Sequence, residues 1–113
     1  MISSQMLKGT LEGCILAIIH QRETYGYEIA QQLEAYGFGR VAEGTVYPLL
    51  LRLEKNGCLR AVYRQSELGP KRKYYTLTQQ GKADLEHFIA GYRELSAAVE
   101  RLLAADEGGT KDE

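Results

Sequence analysis

The sequence between residues 43 and 57 reads EGTVYPLLLRLEKNG, the pattern of an amphipathic helix with defined ends. Its apolar residues recur at intervals of three and four, as they would on one face of a helix: Val46, Leu49, Leu50 and Leu53. Pro48 fits a helix only in or near its first turn, where little backbone hydrogen bonding is lost. We therefore predict that the helix begins around residues 43–45, with Thr45 as a candidate cap, and stops at Asn56-Gly57.

Two tyrosine-rich runs follow, and they have the composition of paired β-strands. They cover residues 59–65 and 73–77, and the link between them contains the turn signal Gly69-Pro70. The tip of this hairpin is expected over residues 66–73, which carry the basic triplet Lys71, Arg72 and Lys73. An isolated two-stranded hairpin is only marginally stable, so it must pack against the helices. A helix followed at once by a basic hairpin is the sequence form of a winged helix, a helix-turn-helix variant that reads duplex DNA.

Helices are also predicted before this unit. Residues 4–20 carry one apolar face, in which Gly9 and Gly13 would allow close packing, unless the helix simply starts later. Residues 21–24 are a polar connection. A second helix opens at Tyr25 and ends near Tyr36, where Gly37 and Gly39 supply a stop and a turn.

The last predicted helix starts after the candidate cap Thr78 and runs to about Ala105. Apolar residues repeat in it over three heptads, at Leu85, Tyr92 and Val99 in one position, Phe88, Leu95 and Leu102 in the other, with Ile89 and Leu103 beside them. One small core offers no obvious partner for so long a stripe, so a second subunit is expected. The fold class is mainly α with a small β-hairpin, a winged helix-turn-helix domain over residues 1–80 and a dimerisation helix over 78–105. Residues 106–113 form a polar tail that is expected to fray.

The chain has 113 residues, which is enough for one domain. Its charge is unevenly distributed along the sequence. The overall net charge is −1, but residues 41–80 carry +4 and residues 81–113 carry −4. Positive potential is thus concentrated on the helix and hairpin, where a phosphate backbone would bind.

No pattern for catalysis, metal binding or cofactor binding accompanies this charge. Cys14 and Cys58 lack CxxC spacing and are expected to be reduced, mostly buried thiols. His20 and His87 have no ligand-spaced partners, and the chain has neither a complete dinucleotide fingerprint nor a phosphate loop. Neither a secretory signal nor an apolar run long enough to span a membrane is present, so a soluble cytoplasmic protein is expected.

Candidate DNA contacts lie at the start of the helix over residues 43–55 and on the hairpin. A recognition helix enters the major groove by its N-terminal part, which here exposes Gly44, Thr45 and Tyr47. The basic triplet suits the phosphate backbone or the minor groove, although alone it is equally consistent with a solvated turn. Arg52 could reach a phosphate or pair with Glu54, for which a surface salt bridge is expected, and Lys8 is a weaker phosphate candidate.

Four motifs taken together resemble one family, the PadR-type transcriptional regulators. They are GTVYPLLxRLExxG at residues 44–57, LKG at 7–9, YGYEI at 25–29 and KYYxLTxxG at 73–81. The single helix that follows is similar to the short subfamily. Some short members bind planar aromatic drugs between tryptophans at the dimer interface, but this chain contains no tryptophan.

The resemblance implies a homodimeric, ligand-responsive repressor that binds a pseudo-palindromic operator in double-stranded DNA. It implies that the last helix, with Leu7 and Leu11 of the first, forms the dimer interface, and that a small-molecule effector of unknown identity acts on it. It also places Lys8, Thr45, Tyr47 and residues 71–73 around the DNA. The alternative is a winged helix that serves only as a protein-interaction module.

Overall fold

A computed structural model of the chain describes residues 2–111, and the side chains of residues 2–107. The elements in chain order are α1 (Ser4–Leu7), α2 (Leu11–Gln21), β1 (Thr24–Tyr25), α3 (Gly26–Ala35), α4 (Glu43–Lys55), β2 (Leu59–Ser66), β3 (Gly69–Leu77) and α5 (Gln79–Lys111). Helices α2, α3 and α4 pack against one face of a small antiparallel sheet, and α5 leaves it as a long arm. The predicted fold class, a mainly helical winged helix with a long final helix, is confirmed.

The first predicted helix is in fact two helices. The chain breaks between α1 and α2 at Gly9, whose φ of +95° is a left-handed conformation that other residues rarely adopt. Gly13 stays inside α2 and lies directly under the ring of Phe88 from α5. The two glycines therefore act differently, since one makes a turn and the other makes room for a ring.

The sheet contains a strand that the sequence did not indicate. Its order is β1-β3-β2, so β3 is the central strand. The two residues of β1 pair with the middle of β3, Thr24 opposite Tyr75 and Tyr25 opposite Tyr74. Residues 21–24 were predicted to be a polar connection, but Thr24 is fully buried, and its hydroxyl donates to Glu28 Oε1.

The core lies between the sheet and the three helices. Its fully buried side chains come from three helices and the central strand. They are Ile15 of α2, Ile29 and Leu33 of α3, Val46 and Leu50 of α4, and Tyr75 of β3. Each large apolar side chain buried in this way contributes about 1.5–3 kcal/mol. The core therefore fixes the orientation of α4, whose inward face is the predicted apolar stripe.

Helix α4 starts two residues earlier than its predicted cap. The cap position is Ala42, and Thr45 lies inside the first turn, so the prediction that Thr45 caps the helix is wrong. The C-terminal end is as predicted, because Asn56 is the C-cap of the helix and Gly57 follows with a φ of +83°.

Helix α5 is firmly attached at its start. The predicted cap Thr78 is confirmed: its Oγ1 accepts from the Gly81 amide at 3.0 Å and donates to the Gly57 carbonyl at 2.6 Å. The helix continues to Lys111 rather than ending near Ala105, and Ala104, Ala105 and Glu107 are residues that favour helix. Residues 106–111 are therefore helical, their fraying stays a prediction, and residues 112–113 lie outside the described range. Within that range no helix combines the length and the apolar character needed to cross a membrane.

Candidate nucleic-acid interface

The N-terminal turn of α4 projects into solvent while the other face of the helix is held in the core. Val46, Leu50 and Leu53 are buried. Gly44, Thr45 and Tyr47 are all exposed, Tyr47 by 51%. The first turn of α4 thus offers a hydroxyl, a phenol and an unobstructed glycine, the three groups that were predicted to meet DNA.

The wing, formed by β2 and β3, is longer and narrower at its tip than predicted. The strands pair from Leu59 opposite Leu77 to Ser66 opposite Gly69, and only Glu67 and Leu68 form the turn. The predicted tip over residues 66–73 is wrong, because the basic triplet lies within β3 and not in a loop. Since side chains alternate along a strand, Lys71 and Lys73 lie on the face toward α4, while Arg72 lies on the opposite, outer face.

Lys73 holds the wing against α4. Its Nζ lies 2.7 Å from Glu54 Oε1, and its side chain is only 17% exposed. The hydrogen bond to Glu54 raises the pKa of Lys73, more than its burial lowers it. The predicted salt bridge of Glu54 is thus confirmed, with Lys73 as its partner. Lys73 therefore positions the wing against α4, and its contact with DNA stays a prediction.

Arg52 is also engaged within the protein. Its Nε donates to Glu12 Oε2 of α2 at 2.9 Å, and this hydrogen bond raises the pKa of the guanidinium. Of the two partners considered for Arg52 within the chain and outside it, Glu54 is not the one that the structure gives. Arg52 therefore links α4 to α2, and its contact with DNA stays a prediction.

The outer face of the sheet carries a layer of cations and aromatic rings that sequence reasoning missed. The Arg72 guanidinium lies 4.6 Å from the centre of the Tyr25 ring, and Tyr25 packs against Tyr74 at 5.1 Å. Arg64 lies over Tyr74 and pairs with Glu23 at 2.9 Å, which raises the pKa of Arg64. Arg64 and Arg72 are direct cross-strand partners, a repulsive arrangement that Glu23 and the two rings offset. Tyr25 joins this layer through β1, the strand that sequence reasoning missed, whereas Arg64, Arg72 and Tyr74 belong to the predicted hairpin.

Lys8 and Lys71 remain without such contacts. Both side chains are exposed, and neither forms an ion pair or hydrogen bond with another side chain in the described part of the protein. Of the predicted cations, these two are the ones whose charge is fully available to an anionic partner.

The predicted interface residues divide into two groups. Leu11 and Leu85 are buried in the core of the chain itself, and Leu7, Phe88 and Ile89 are half-buried. Leu11 and Leu85 therefore have little surface to offer a second subunit, which corrects their assignment. The exposed apolar stripe is confined to the distal part of α5, at Tyr92, Leu95, Val99, Leu102 and Leu103.

Both thiols are at least partly buried. Cys14 and Cys58 are free, and Cys58 Sγ donates to Asp84 Oδ2 at 2.9 Å. Burial, and then this hydrogen bond, raises the pKa of Cys58 to about 11, so the thiol is protonated and unreactive near neutral pH. Among the described residues, no group of His, Cys, Asp and Glu side chains is arranged to hold a metal ion.

Comparisons with known proteins agree with this geometry. A PadR-like transcriptional regulator from Bacillus cereus is 51% identical, covers 88% of this chain and 97% of its own, and superposes with a TM-score of 0.80. Bacillus subtilis PadR, solved in complex with operator DNA, is 25% identical over 74% of this chain and 48% of its own, with a TM-score of 0.66. A transcriptional regulator from Mycobacterium tuberculosis is 36% identical over 87 residues, 74% of this chain and 79% of its own. The model of the transcriptional regulator PadR-like family matches residues 15–87. The chain belongs to the PadR-like family, whose members are transcriptional regulators and not enzymes.

Proposed function

We propose that this protein is a homodimeric repressor that binds a pseudo-palindromic operator in double-stranded DNA and responds to a small-molecule effector. The observation that carries the proposal is the pairing of two exposed features on one side of the molecule. The first turn of α4 projects Gly44, Thr45 and Tyr47, and the adjacent wing presents Lys71 on its α4-facing side without a competing carboxylate.

The side chains on α4 have the chemistry of base and backbone recognition. A threonine hydroxyl hydrogen-bonds a base edge or a phosphate, and its methyl group packs against a thymine methyl. A tyrosine hydroxyl donates to a phosphate. Gly44 has nothing within 4 Å of the position where a Cβ would stand, so the duplex backbone can approach α4 closely there.

The cations around α4 supply affinity that does not depend on sequence. Lys71 and Lys8 are unpaired, and Arg72 is exposed although it lies over the Tyr25 ring. Each phosphate neutralised releases counterions, so such contacts produce a salt-dependent binding constant. That Bacillus subtilis PadR was solved in complex with operator DNA supports DNA binding by this chain.

The exposed stripe on α5 supports a dimer. Tyr92, Leu95, Val99 and Leu102 recur at heptad spacing and face solvent in one chain, as in a helix whose partner is another helix. A two-fold dimer binds half-sites about one helical turn apart. We propose that an effector acts by changing the angle of α5 and therefore the separation of the two α4 helices.

Fluorescence anisotropy over a salt series tests DNA binding. Wild-type protein, Lys71→Ala and Lys71→Ala/Arg72→Ala are titrated with duplexes that include the protein's own upstream region. We expect tight binding to one duplex, and a slope of log K against log salt that falls by about one for each lost phosphate contact. Lys82→Ala, an exposed lysine on α5, is the matched control and should retain the slope.

Weak binding to every duplex, unchanged in the variants, would instead indicate a protein-interaction module.

Sedimentation equilibrium tests the dimer by comparing two variants. Leu95→Glu places a charge in the exposed stripe of α5, and Ala97→Glu places the same charge two residues away on another face of the helix. Dissociation caused equally by both would contradict the proposed interface. An unchanged effector response in a dimer crosslinked through α5 would contradict the proposed motion.

A further inference from the structure

A half-open cleft of about 640 Å³ lies between α1, the segment of residues 38–42 and α4. Cavities of a few hundred cubic ångströms accommodate small organic molecules. The apolar part of its lining is contributed by Ile2, Leu7, Leu11, Phe38, Val41, Ala42 and Leu49. Six of these seven are aliphatic, so the cleft offers no pair of rings between which a planar aromatic molecule could stack.

The charged residues of the cleft leave an excess of positive charge. Arg52 and Glu12 both line it and pair with each other at 2.9 Å, so their charges compensate. Lys8 and Arg40 also line it, both exposed, and neither side chain has an ionic or hydrogen-bonding partner among the described side chains. The cleft therefore combines an aliphatic floor with two uncompensated cations.

We propose that this cleft binds an aliphatic carboxylate of medium chain length. The chain would lie on the aliphatic floor, where its burial removes apolar surface from water. The carboxylate would be held by Lys8 and Arg40, since an ionised acceptor makes the stronger hydrogen bonds with such donors. A cationic or neutral molecule with the same chain lacks that second interaction.

The position of the cleft gives the bound carboxylate a regulatory effect. Lys8 and Thr45 line the cleft and also belong to the surface that we assign to DNA. A carboxylate in the cleft occupies Lys8 and adds negative charge beside the first turn of α4, so it opposes the approach of a phosphate. The predicted effect is direct competition with the operator, which is separate from the movement of α5 proposed above because no described residue of α5 lines the cleft. This part of the inference rests on the proposed DNA-binding function.

Direct binding is measured with sodium decanoate, at concentrations well below those at which it forms micelles. Calorimetric titration of the wild-type protein with decanoate gives the dissociation constant without any substitution. A Phe38→Trp variant adds a local reporter, because the chain has no tryptophan of its own and this one would stand in the cleft. We expect a change in its fluorescence with the same dissociation constant as in calorimetry, and binding about tenfold weaker for decyltrimethylammonium, which carries the opposite charge.

Matched arginine variants locate the carboxylate. Arg40→Gln should weaken decanoate binding by about threefold, as expected for the loss of one exposed charge pair. Arg60→Gln removes an exposed arginine on the outer face of the wing, away from the cleft, and should leave decanoate binding unchanged. Equal effects of the two variants, or no binding of decanoate by calorimetry, would overturn the proposal.

Competition is measured by operator anisotropy at increasing decanoate concentration. The apparent dissociation constant for DNA should rise linearly with decanoate, whereas a plateau would contradict direct competition. If wild-type protein binds no duplex while decanoate still binds in the cleft, the proposed DNA-binding function is contradicted and the carboxylate site is supported. If DNA binds tightly and decanoate does not bind, only the proposed carboxylate site is contradicted.

Repeating the decanoate titration at tenfold higher protein concentration tests whether a second copy of the chain occupies the cleft. Weaker decanoate binding at the higher concentration would assign the cleft to the partner subunit.

Discussion

Replacing Gly13 with alanine should change the direction of α5 without abolishing the fold. An added Cβ would lie 2.2 Å from Cγ of Phe88, whereas ordinary contact begins at 3.4 Å, so the ring must retreat by about 1.2 Å. Phe88 is stacked on Tyr92, with ring centres 6.1 Å apart, and both belong to α5. The displacement is therefore expected to pass to the helix as a whole.

The start of α5 cannot follow this displacement. Gly81 is in contact with the Cys58 carbonyl oxygen, and a Cβ there would overlap it. Gly81 and Phe88 are about 10 Å apart along the helix, so a shift of about 1.2 Å at the ring corresponds to a rotation of about 7° around Gly81. At Leu102 the same rotation amounts to about 4 Å. A change of that size would alter the separation of two subunits joined through the distal part of α5.

The energetic consequence follows from two opposing effects. Overpacking of a core costs about 1–3 kcal/mol, and the better helix propensity of alanine offsets up to about 1 kcal/mol. We expect Gly13→Ala to lower the free energy of unfolding by about 1–2 kcal/mol. Gly91→Ala is the matched control, because Gly91 is helical and exposed with nothing within 4 Å of its Cβ position, and it should stabilise by about 0.5–1 kcal/mol.

Urea denaturation at one fixed protein concentration measures both variants, and anisotropy with operators of altered half-site spacing measures the rotation. We expect Gly13→Ala to prefer a changed spacing and Gly91→Ala to keep that of the wild type. A Phe88→Leu substitution in the Gly13→Ala background, which shortens the ring that must move, should restore the wild-type spacing. Equal stabilisation by Gly13→Ala and Gly91→Ala, with unchanged spacing, would refute the role assigned to this contact.

The remaining predictions concern the attachment of α5. Thr78→Ala removes the cap and the hydrogen bond to Gly57, and should cost about 1–2 kcal/mol in urea denaturation; Thr78→Ser keeps the hydroxyl, and an equal loss there would contradict the capping role. The pKa of Cys58 is about 11 in the folded chain against an ordinary 9.0, so the unfolded chain loses this proton first as the pH rises. The stability that the thiol provides is present below pH 9 and lost between pH 9 and pH 11. Urea titrations across that range should show a steeper fall for wild-type protein than for Cys58→Ala, and identical slopes would contradict it.

Features that depend on neighbouring residues were predictable from the sequence. The apolar stripe of α4, its stop at Asn56-Gly57 and the cap at Thr78 are local patterns, and all three are confirmed. The exposure of Tyr47 followed in the same way, since a helix with one buried stripe presents its other faces to solvent.

Features that depend on distant residues were not predictable in the same way. β1 has only two residues, and its pairing with β3 joins positions about fifty residues apart in the chain. The ring over which Arg72 lies belongs to Tyr25 of this missed strand, so that contact was not predictable either. Likewise, Lys73 was assigned to DNA because its neighbours are basic, but Glu54 from another element neutralises it.

The order of the sheet has a consequence for synthesis on the ribosome. Both outer strands pair only with β3, which is the last of the three to be made. A nascent chain that has not reached residue 69 contains α4 and β1 but has no strand on which the sheet can assemble. The helix that we assign to DNA is therefore translated well before the sheet that supports it. Assembly of the sheet during synthesis must therefore wait for β3, and the pairing of β1 with β3 is a long-range contact of the kind that slows folding.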